Sequence, residues 1–486
     1  MKKTNNNVKK NFIYNLMYQI LIMIIPLITA PYLARVIGAD GVGTYSYTYS
    51  IVNYFTLLCM LGINNYGNRT IAKSRENKND LSKNFWSMYI FQLFMGIIML
   101  IIYIIYVFIF VDKFKGIAYI QCLFIISAIL DINWLYFGLE KFKLTITRST
   151  ILRLFSVILI FIFIRDSNDL WKYTLIMAGT TVFSQLLLWG FIKKNIYFVR
   201  VSFSDILKHV KPNLILFIPI ISVSIYKIMD KIMLGALSNV TEVGYYENAE
   251  KIVHIPLTLI TALGTVMLPR MSNIISRGNK ENINKYLEKS LSFVMFMSLA
   301  MSFGLVAIGY DFAPIYFGIE FEKSGILICL LAITLPFLSF ANVLRTQYLI
   351  PNEKDKEYIF SVGLGAIVNL IMNIIFIPKF QSIGACFGTI AAEFTVMLYQ
   401  IISVKNKLNI KSYCKDILVF LIKSLIMFLL IFIIRFIISD KFIRLIIQVI
   451  IGCCIYGILN LNYINSIINL KKYISKKANN MSESIE

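Results

Sequence analysis

Residues 211–235 read KPNLILFIPIISVSIYKIMDKIMLG. A run of about 20 apolar residues crosses a bilayer as a helix, and this one is long enough, yet Lys227, Asp230 and Lys231 lie well inside it. At ~1.5 Å rise per residue, Lys227 stands roughly 22 Å from Pro212. An ionised group at that depth is costly, so it faces a partner or a water-filled cavity rather than lipid. Lys227 and Lys231 are four apart and share one helix face, with Asp230 beside it. The stretch therefore reads as part of a cationic surface inside a membrane protein, one that receives something anionic.

The rest of the chain fits this reading. Of 486 residues, 58% are hydrophobic and 15% charged, against about 25% charged in soluble domains. The seven cysteines (Cys59, Cys122, Cys329, Cys386, Cys414, Cys453 and Cys454) sit in apolar runs with no CxxC or Cys/His spacing. With His209 and His254 the only histidines, neither a metal site nor a disulfide framework is expected, and no cofactor is implied. The net charge of +22 is spread over short loops between apolar segments, as topology requires, which argues against nucleic acid as a partner.

Fourteen segments are apolar enough to span. They cover roughly 11–37, 43–66, 84–111, 116–138, 149–164, 171–192, 212–238, 243–269, 290–310, 323–349, 357–378, 381–404, 413–438 and 442–469. Lys2, Lys3, Lys9 and Lys10 precede the first, in the manner of a signal peptide, but that segment is far longer than an h-region and reads as a retained helix. With both termini placed inside, 32 of the 48 Lys and Arg residues fall on the inner side and seven on the outer. That asymmetry predicts cytoplasmic termini and an even number of spans. The loops are too short for an extracellular or nucleotide-binding domain, and no GxxxxGK[ST] stretch is present. Any work is done within the bilayer.

The halves repeat. Val42-Gly43-Thr44-Tyr45 is echoed 201 residues later by Val243-Gly244-Tyr245-Tyr246, and Arg69 by Arg270 at the same offset. The expectation is an all-α membrane protein of about 14 helices. A six-helix lobe over 1–200 and a second over 201–410 would be related by a pseudo-two-fold along the membrane normal, with two appended helices and a basic tail over 411–486. Pro26, Pro31, Pro219 and Pro256 interrupt spanning segments, where each removes a backbone donor and permits a kink or a hinge.

Charges at membrane depth are Arg35, Lys227, Asp230, Lys231, Glu247, Glu250, Lys251 and, nearer the inner side, Arg345 and Glu393. Two readings compete. The spacing lets Glu247–Lys251 and Lys227–Asp230 pair locally and contribute packing alone. Alternatively, Arg35, Lys227, Lys231 and Lys251, drawn from both halves, line a cavity suited to phosphate oxygens. Asn369 and Asn373 form a polar stripe, as do Asn15 and Gln19, able to bond sugar hydroxyls or another helix. In Asp131–Glu140 (DINWLYFGLE), Trp134 and Tyr136 read as interfacial anchors, with Asp131 and Glu140 pairing to basic loops. No nucleophile has a base beside it, so no enzyme is expected.

Several stretches together resemble the polysaccharide flippases of the multidrug/oligosaccharidyl-lipid/polysaccharide exporter superfamily. They are Tyr32-Leu-Ala-Arg-Val-Ile-Gly38 with Val42-Gly-Thr-Tyr45, the 131–140 stretch, and Asp230-Lys-Ile-Met-Leu-Gly235 with Val243-Gly-Tyr-Tyr246. Asn369 to Pro378, Ile383-Gly-Ala385 and Ala391-Ala-Glu393 complete the set. The resemblance implies two lobes, a central cationic cavity and undecaprenyl-diphosphate-linked oligosaccharide as cargo, moved in a bacterial cytoplasmic membrane. The site would be built from Arg35, Lys227, Lys231 and Lys251, with Asp230, Arg345, Asn369 and Asn373 as further candidates. Alternating access is expected, with H+ or Na+, or the membrane potential, as the drive, and a polysaccharide polymerase and glycosyltransferases as functional partners. Lipid II flippases and multidrug antiporters share the superfamily, although an antiporter for cations would want an acidic cavity. A membrane polymerase or ligase would need a large outer loop, which this chain does not have.

Overall fold

Sixteen α-helices run through the computed structural model, which describes residues 2–277 and 280–466; the side chains of 2–23, 219, 222, 223, 225–227, 280–282, 411, 412 and 414 lie outside that description. The side chains of Asn15, Gln19, Pro219 and Lys227 and the basic tail beyond 466 therefore lie outside that description. In order the helices are α1 (Lys2–Met60), α2 (Ile63–Ser74), α3 (Lys78–Phe110), α4 (Lys115–Ile129), α5 (Asn133–Gly138), α6 (Phe142–Phe163), α7 (Leu170–Trp189) and α8 (Phe203–Leu237). Then come α9 (Val240–Ser276), α10 (Lys280–Phe317), α11 (Glu322–Ala332), α12 (Thr334–Leu344), α13 (Asp355–Phe380), α14 (Ser382–Val404), α15 (Ile410–Ile437) and α16 (Lys441–Leu459). Among the described residues there is no strand. Hydrocarbon offers the backbone no partners, and an unbroken helix satisfies every N–H and C=O internally.

Eleven of these stretches, most of them single helices, are long and apolar enough to span. Of the remaining expected segments, 11–37 falls in α1, 43–66 runs from α1 into the start of α2, and 212–238 lies over α8. The second of them is rich in Thr, Ser and Tyr, with Thr44, Ser46, Thr48 and Ser50 all buried, which lowers its hydropathy. The break between the first two segments sits at Gly38, whose φ of 68° and ψ of −179° belong to a region that favours glycine.

The exposed surface is apolar, unlike that of a soluble protein, and some polar side chains are drawn inward. Helix α3 exposes Ile97, Ile101, Ile105 and Phe108 and buries Ser82, Ser87 and Gln92; lipid solvates the first set, while the second would lose hydrogen bonds in it. Gln92 shows what such a group does. Its Nε2 donates to the carbonyls of Ala128 at 2.7 Å and Asp131 at 2.9 Å, where the chain breaks between α4 and α5. Its Oε1 accepts from Trp134 Nε1 at 3.1 Å. The expectation that Trp134 and Tyr136 anchor the interface is thereby corrected. Both are wholly buried, because the indole must reach Gln92 and the Tyr136 hydroxyl donates to the Leu188 carbonyl at 2.7 Å. Asp131 caps the next turn through Asn133 N at 2.8 Å rather than pairing with a loop base, whereas Glu140 does bond Arg75 at 2.7 Å.

The chain forms two compact units, one of residues 1–251 and 359–392 and one of 252–358 and 393–486. The second is built on an apolar core that includes Leu287, Leu291, Leu299, Leu344 and Leu349. Inside it Arg444 of α16 grips Asp311 of α10 through Nε at 2.8 Å and Nη2 at 2.8 Å. Arg345 also belongs to this unit, in a π-helical turn (Arg345–Leu349), with its guanidinium 5.5 Å from the Tyr358 ring.

Candidate functional site

The first unit holds a polar cavity, and the positions that build it derive from one close helix crossing. A Cβ added to Gly43 would lie 1.7 Å from the Val240 carbonyl oxygen, and one on Gly244 would lie 2.2 Å from that of Ala39. The backbones of α1 and α9 therefore touch, and no side chain fits between them. These are the two glycines of the repeated motif. Two more pairs at the same 201-residue offset meet beside them: Thr241 donates to Asp40, and Ser46 Oγ donates to Glu247 Oε2 at 2.7 Å.

The crossing delivers Glu247 to two ammonium groups. Lys231 of α8 approaches Glu247 Oε2 at 2.7 Å and Glu250 Oε2 at 2.9 Å. Lys251, one turn along α9, approaches Glu247 Oε1 at 3.2 Å. The local Glu247–Lys251 pairing allowed by the spacing is thus present, and Lys231 joins it. These side chains are not sealed: Lys231 and Glu247 each keep 17% of their surface exposed and Lys251 33%.

What they face is a cavity of about 570 Å³. Along one wall Tyr45 and Tyr49 of α1 stack at 5.7 Å between ring centres, with Tyr173 of α7 at 4.6 Å from Tyr45 and Phe124 of α4 at 4.9 Å from Tyr49. Another wall carries Arg148 and Arg153 of α6 with Asn133 and Gln185. The Arg148 guanidinium donates to the Ser184 carbonyl at 2.6 Å, Gln185 Oε1 at 3.2 Å and Asn133 Oδ1 at 3.0 Å. Four cationic side chains and one carboxylate, Glu247, thus stand on the walls. That surplus of positive charge, with amides and tyrosine rings beside it, is chemistry for an anion carrying hydroxyl groups.

Other candidates lie elsewhere. Arg35 is exposed on α1 and is not on the cavity wall. Asp230, Asn369 and Asn373 come together in a buried knot instead. Asp230 Oδ1 accepts from Asn373 Nδ2 at 2.6 Å, and Oδ2 from Thr389 at 2.8 Å and the Tyr246 hydroxyl at 3.1 Å. Asn369 Oδ1 accepts from Asn373 at 3.2 Å. The polar stripe on α13 thus bonds across to α8. Arg345 sits in the second unit, described above. Among the described residues no group of three or more His, Cys, Asp or Glu could hold a metal.

Sequence reasoning missed Arg148, Arg153, Asn133, Gln185 and the tyrosine wall. Arg153 carried a usable signal, being a lone guanidinium inside the apolar 149–164 segment. Arg148 at the segment's edge reads as a loop base, and only the α6–α7 packing turns it inward.

Residues 8–275 match the model of the family described as "Polysaccharide biosynthesis protein". A protein of Escherichia coli (strain K12) named "Putative O-antigen transporter" is 23% identical over 412 residues, which cover 84% of this chain and 99% of that one. Among solved structures, the lipid II flippase MurJ in an inward closed conformation superposes with a TM-score of 0.77 at 18% identity, over 94% of this chain and 99% of that one. An inward-facing multidrug-resistance MATE transporter superposes with a TM-score of 0.58 at 12% identity, over 81% and 99%. Both likenesses are of fold.

Proposed function

The chain belongs to the polysaccharide biosynthesis protein family, and from that premise we propose that it is a flippase for undecaprenyl-diphosphate-linked oligosaccharide repeat units. It carries them from the cytoplasmic to the outer leaflet of a bacterial cytoplasmic membrane, with both its termini cytoplasmic. The observation behind this reading is the cationic surplus of a cavity within a membrane-spanning fold: Arg148, Arg153, Lys231 and Lys251 against Glu247. A diphosphate is the part of such a lipid that hydrocarbon rejects most strongly, and guanidinium and ammonium donors replace its water. At about 570 Å³ the cavity has the volume of a site for a drug-sized ligand. It suits the diphosphate and its proximal sugar, with the lipid tail remaining in the membrane. The relative named "Putative O-antigen transporter", matched over 99% of its length, supports the cargo class.

The mechanism is alternating access. Moving an anion out of a negative interior is favourable by about 2.3 kcal/mol per charge per 100 mV, so the membrane potential alone contributes to the drive. A polymerase and glycosyltransferases would act after and before it. The experiment is complementation of a strain lacking its own flippase. The double variant Lys231→Ala, Lys251→Ala is expected to reach the membrane at wild-type levels and to leave lipid-linked repeat units stranded inside. Full complementation by that variant would rule out this cavity as the cargo site. If lipid II accumulates instead in cells lacking the protein, the cargo is the peptidoglycan precursor.

A further inference from the structure

We propose that Glu247 is a built-in stand-in for the substrate's phosphates: it pairs with Lys231 and Lys251 while the cavity is empty, and it takes up a proton when an anionic ligand displaces it. This rests on the diphosphate reading above. Glu247 is the only carboxylate on the described cavity wall and spans both lysines, one through each oxygen. A carboxylate in this position does for two ammonium groups what one phosphoryl group of a diphosphate would do. An empty chamber with four cations and, of these two carboxylates, only Glu250 on Lys231 would be costly to carry through a conformational cycle, and Glu247 removes part of that cost.

The groups around Glu247 set its protonation once it is displaced. From α8 comes Lys231 and from its own helix come Glu250 and Lys251. From α1 come the hydroxyls of Ser46, Tyr45 and Tyr49; from α7, that of Tyr173. From α6 the guanidiniums of Arg148 and Arg153 share the cavity. Once a diphosphate engages the ammonium groups, Glu247 is left with hydroxyls, beside Glu250 and the incoming phosphates, and all that negative charge favours its neutral form. The proton comes from water and goes to a carboxylate oxygen; no bond in the ligand changes. A protonated Glu247 keeps Ser46 as a neighbour and can donate where it formerly accepted. When the ligand departs, Glu247 ionises and again pairs with the lysines.

The test is calorimetric titration of the full-length protein in detergent with undecaprenyl diphosphate, run in two buffers of different ionisation enthalpy. The wild type is expected to take up about one proton per ligand bound, with affinity falling by up to about tenfold per pH unit as pH rises. Glu247→Gln, which keeps shape and the Ser46 contact, is expected to bind with that uptake and pH slope removed. Binding by the wild type without proton uptake overturns the stand-in role and leaves the diphosphate reading intact. No binding by the wild type overturns both. Equal uptake in the wild type and Glu247→Gln assigns the proton to another group and overturns the role of Glu247. Should Glu247→Gln not fold, the wild-type proton count alone decides, and Glu247→Asp, which retains a carboxylate, is expected to retain the uptake.

Discussion

Two ion pairs, one in each unit, are built to opposite ends. Arg444 and Asp311 are 8% and 3% exposed and bonded twice, with the Arg444 Nη1 also donating to the Ile438 carbonyl at 2.9 Å. Lys231 and Glu247 are each 17% exposed and open on a cavity, and Glu247 divides its oxygens between two lysines. A sealed pair has no alternative partners, so it holds α16 to α10 and nothing else. A pair on a cavity wall can exchange one anion for another. The same chemistry is structural in one place and exchangeable in the other, and access to a chamber makes the difference.

Substitutions can break or sharpen that contrast. The largest effect is expected from Asp311→Ala, which strands the nearly buried Arg444 without its carboxylate and costs about 3–5 kcal/mol; thermal unfolding in detergent should show a steep loss of folded protein. Next, Gly244→Ala forces a methyl group against the Ala39 carbonyl and costs roughly 2–3 kcal/mol by overpacking. Since it displaces the turn carrying Glu247, transport should fall even where folded protein is recovered, as a lipid-linked-sugar accumulation assay would report. Glu247→Gln should cost only ~1–2 kcal/mol, because Lys231 keeps Glu250 and the cavity admits water to Lys251. A melting temperature depressed as far as that of Asp311→Ala would erase the distinction between the two pairs.

The smallest effect belongs to a partly buried carboxylate outside the expected spanning segments. Asp205 bonds Lys83 at 2.9 Å, Ser202 at 2.8 Å and Lys208 at 3.2 Å. Lys83, then Ser202, hold its carboxyl well below the usual carboxylate range. A folded-state value depressed below the unfolded one contributes stability above about pH 4 that disappears as pH falls further. Asp205→Asn should therefore melt slightly below wild type at pH 7, with the gap closing in acid.

The fold was legible because hydrophobic run length is a one-dimensional signal that the bilayer reads directly. The 84–111 and 413–438 runs needed nothing more, and α3 and α15 lie over them. The motif around Gly43 and Gly244 was legible as a repeat, but not as a contact between its own two copies. Trp134 and Tyr136 were misplaced because an aromatic near a helix end carries the same signal at an interface as in a core, and only Gln92 and the Leu188 carbonyl distinguish the two.

What the amino-acid order determined by itself is the solvent of each segment: which runs cross lipid, which loops stay in water, and that Lys231 and Lys251 need an anion or water nearby. The tertiary structure alone decided the company each charge keeps. Asp230 and Lys231 are neighbours in sequence, yet one faces Asn373, Thr389 and Tyr246 and the other faces Glu247 and a cavity. Successive residues on a helix point about 100° apart. Partners are therefore chosen by which helices pack on each side, and residues 143 to 159 positions away supply those of Asp230 on α13 and α14.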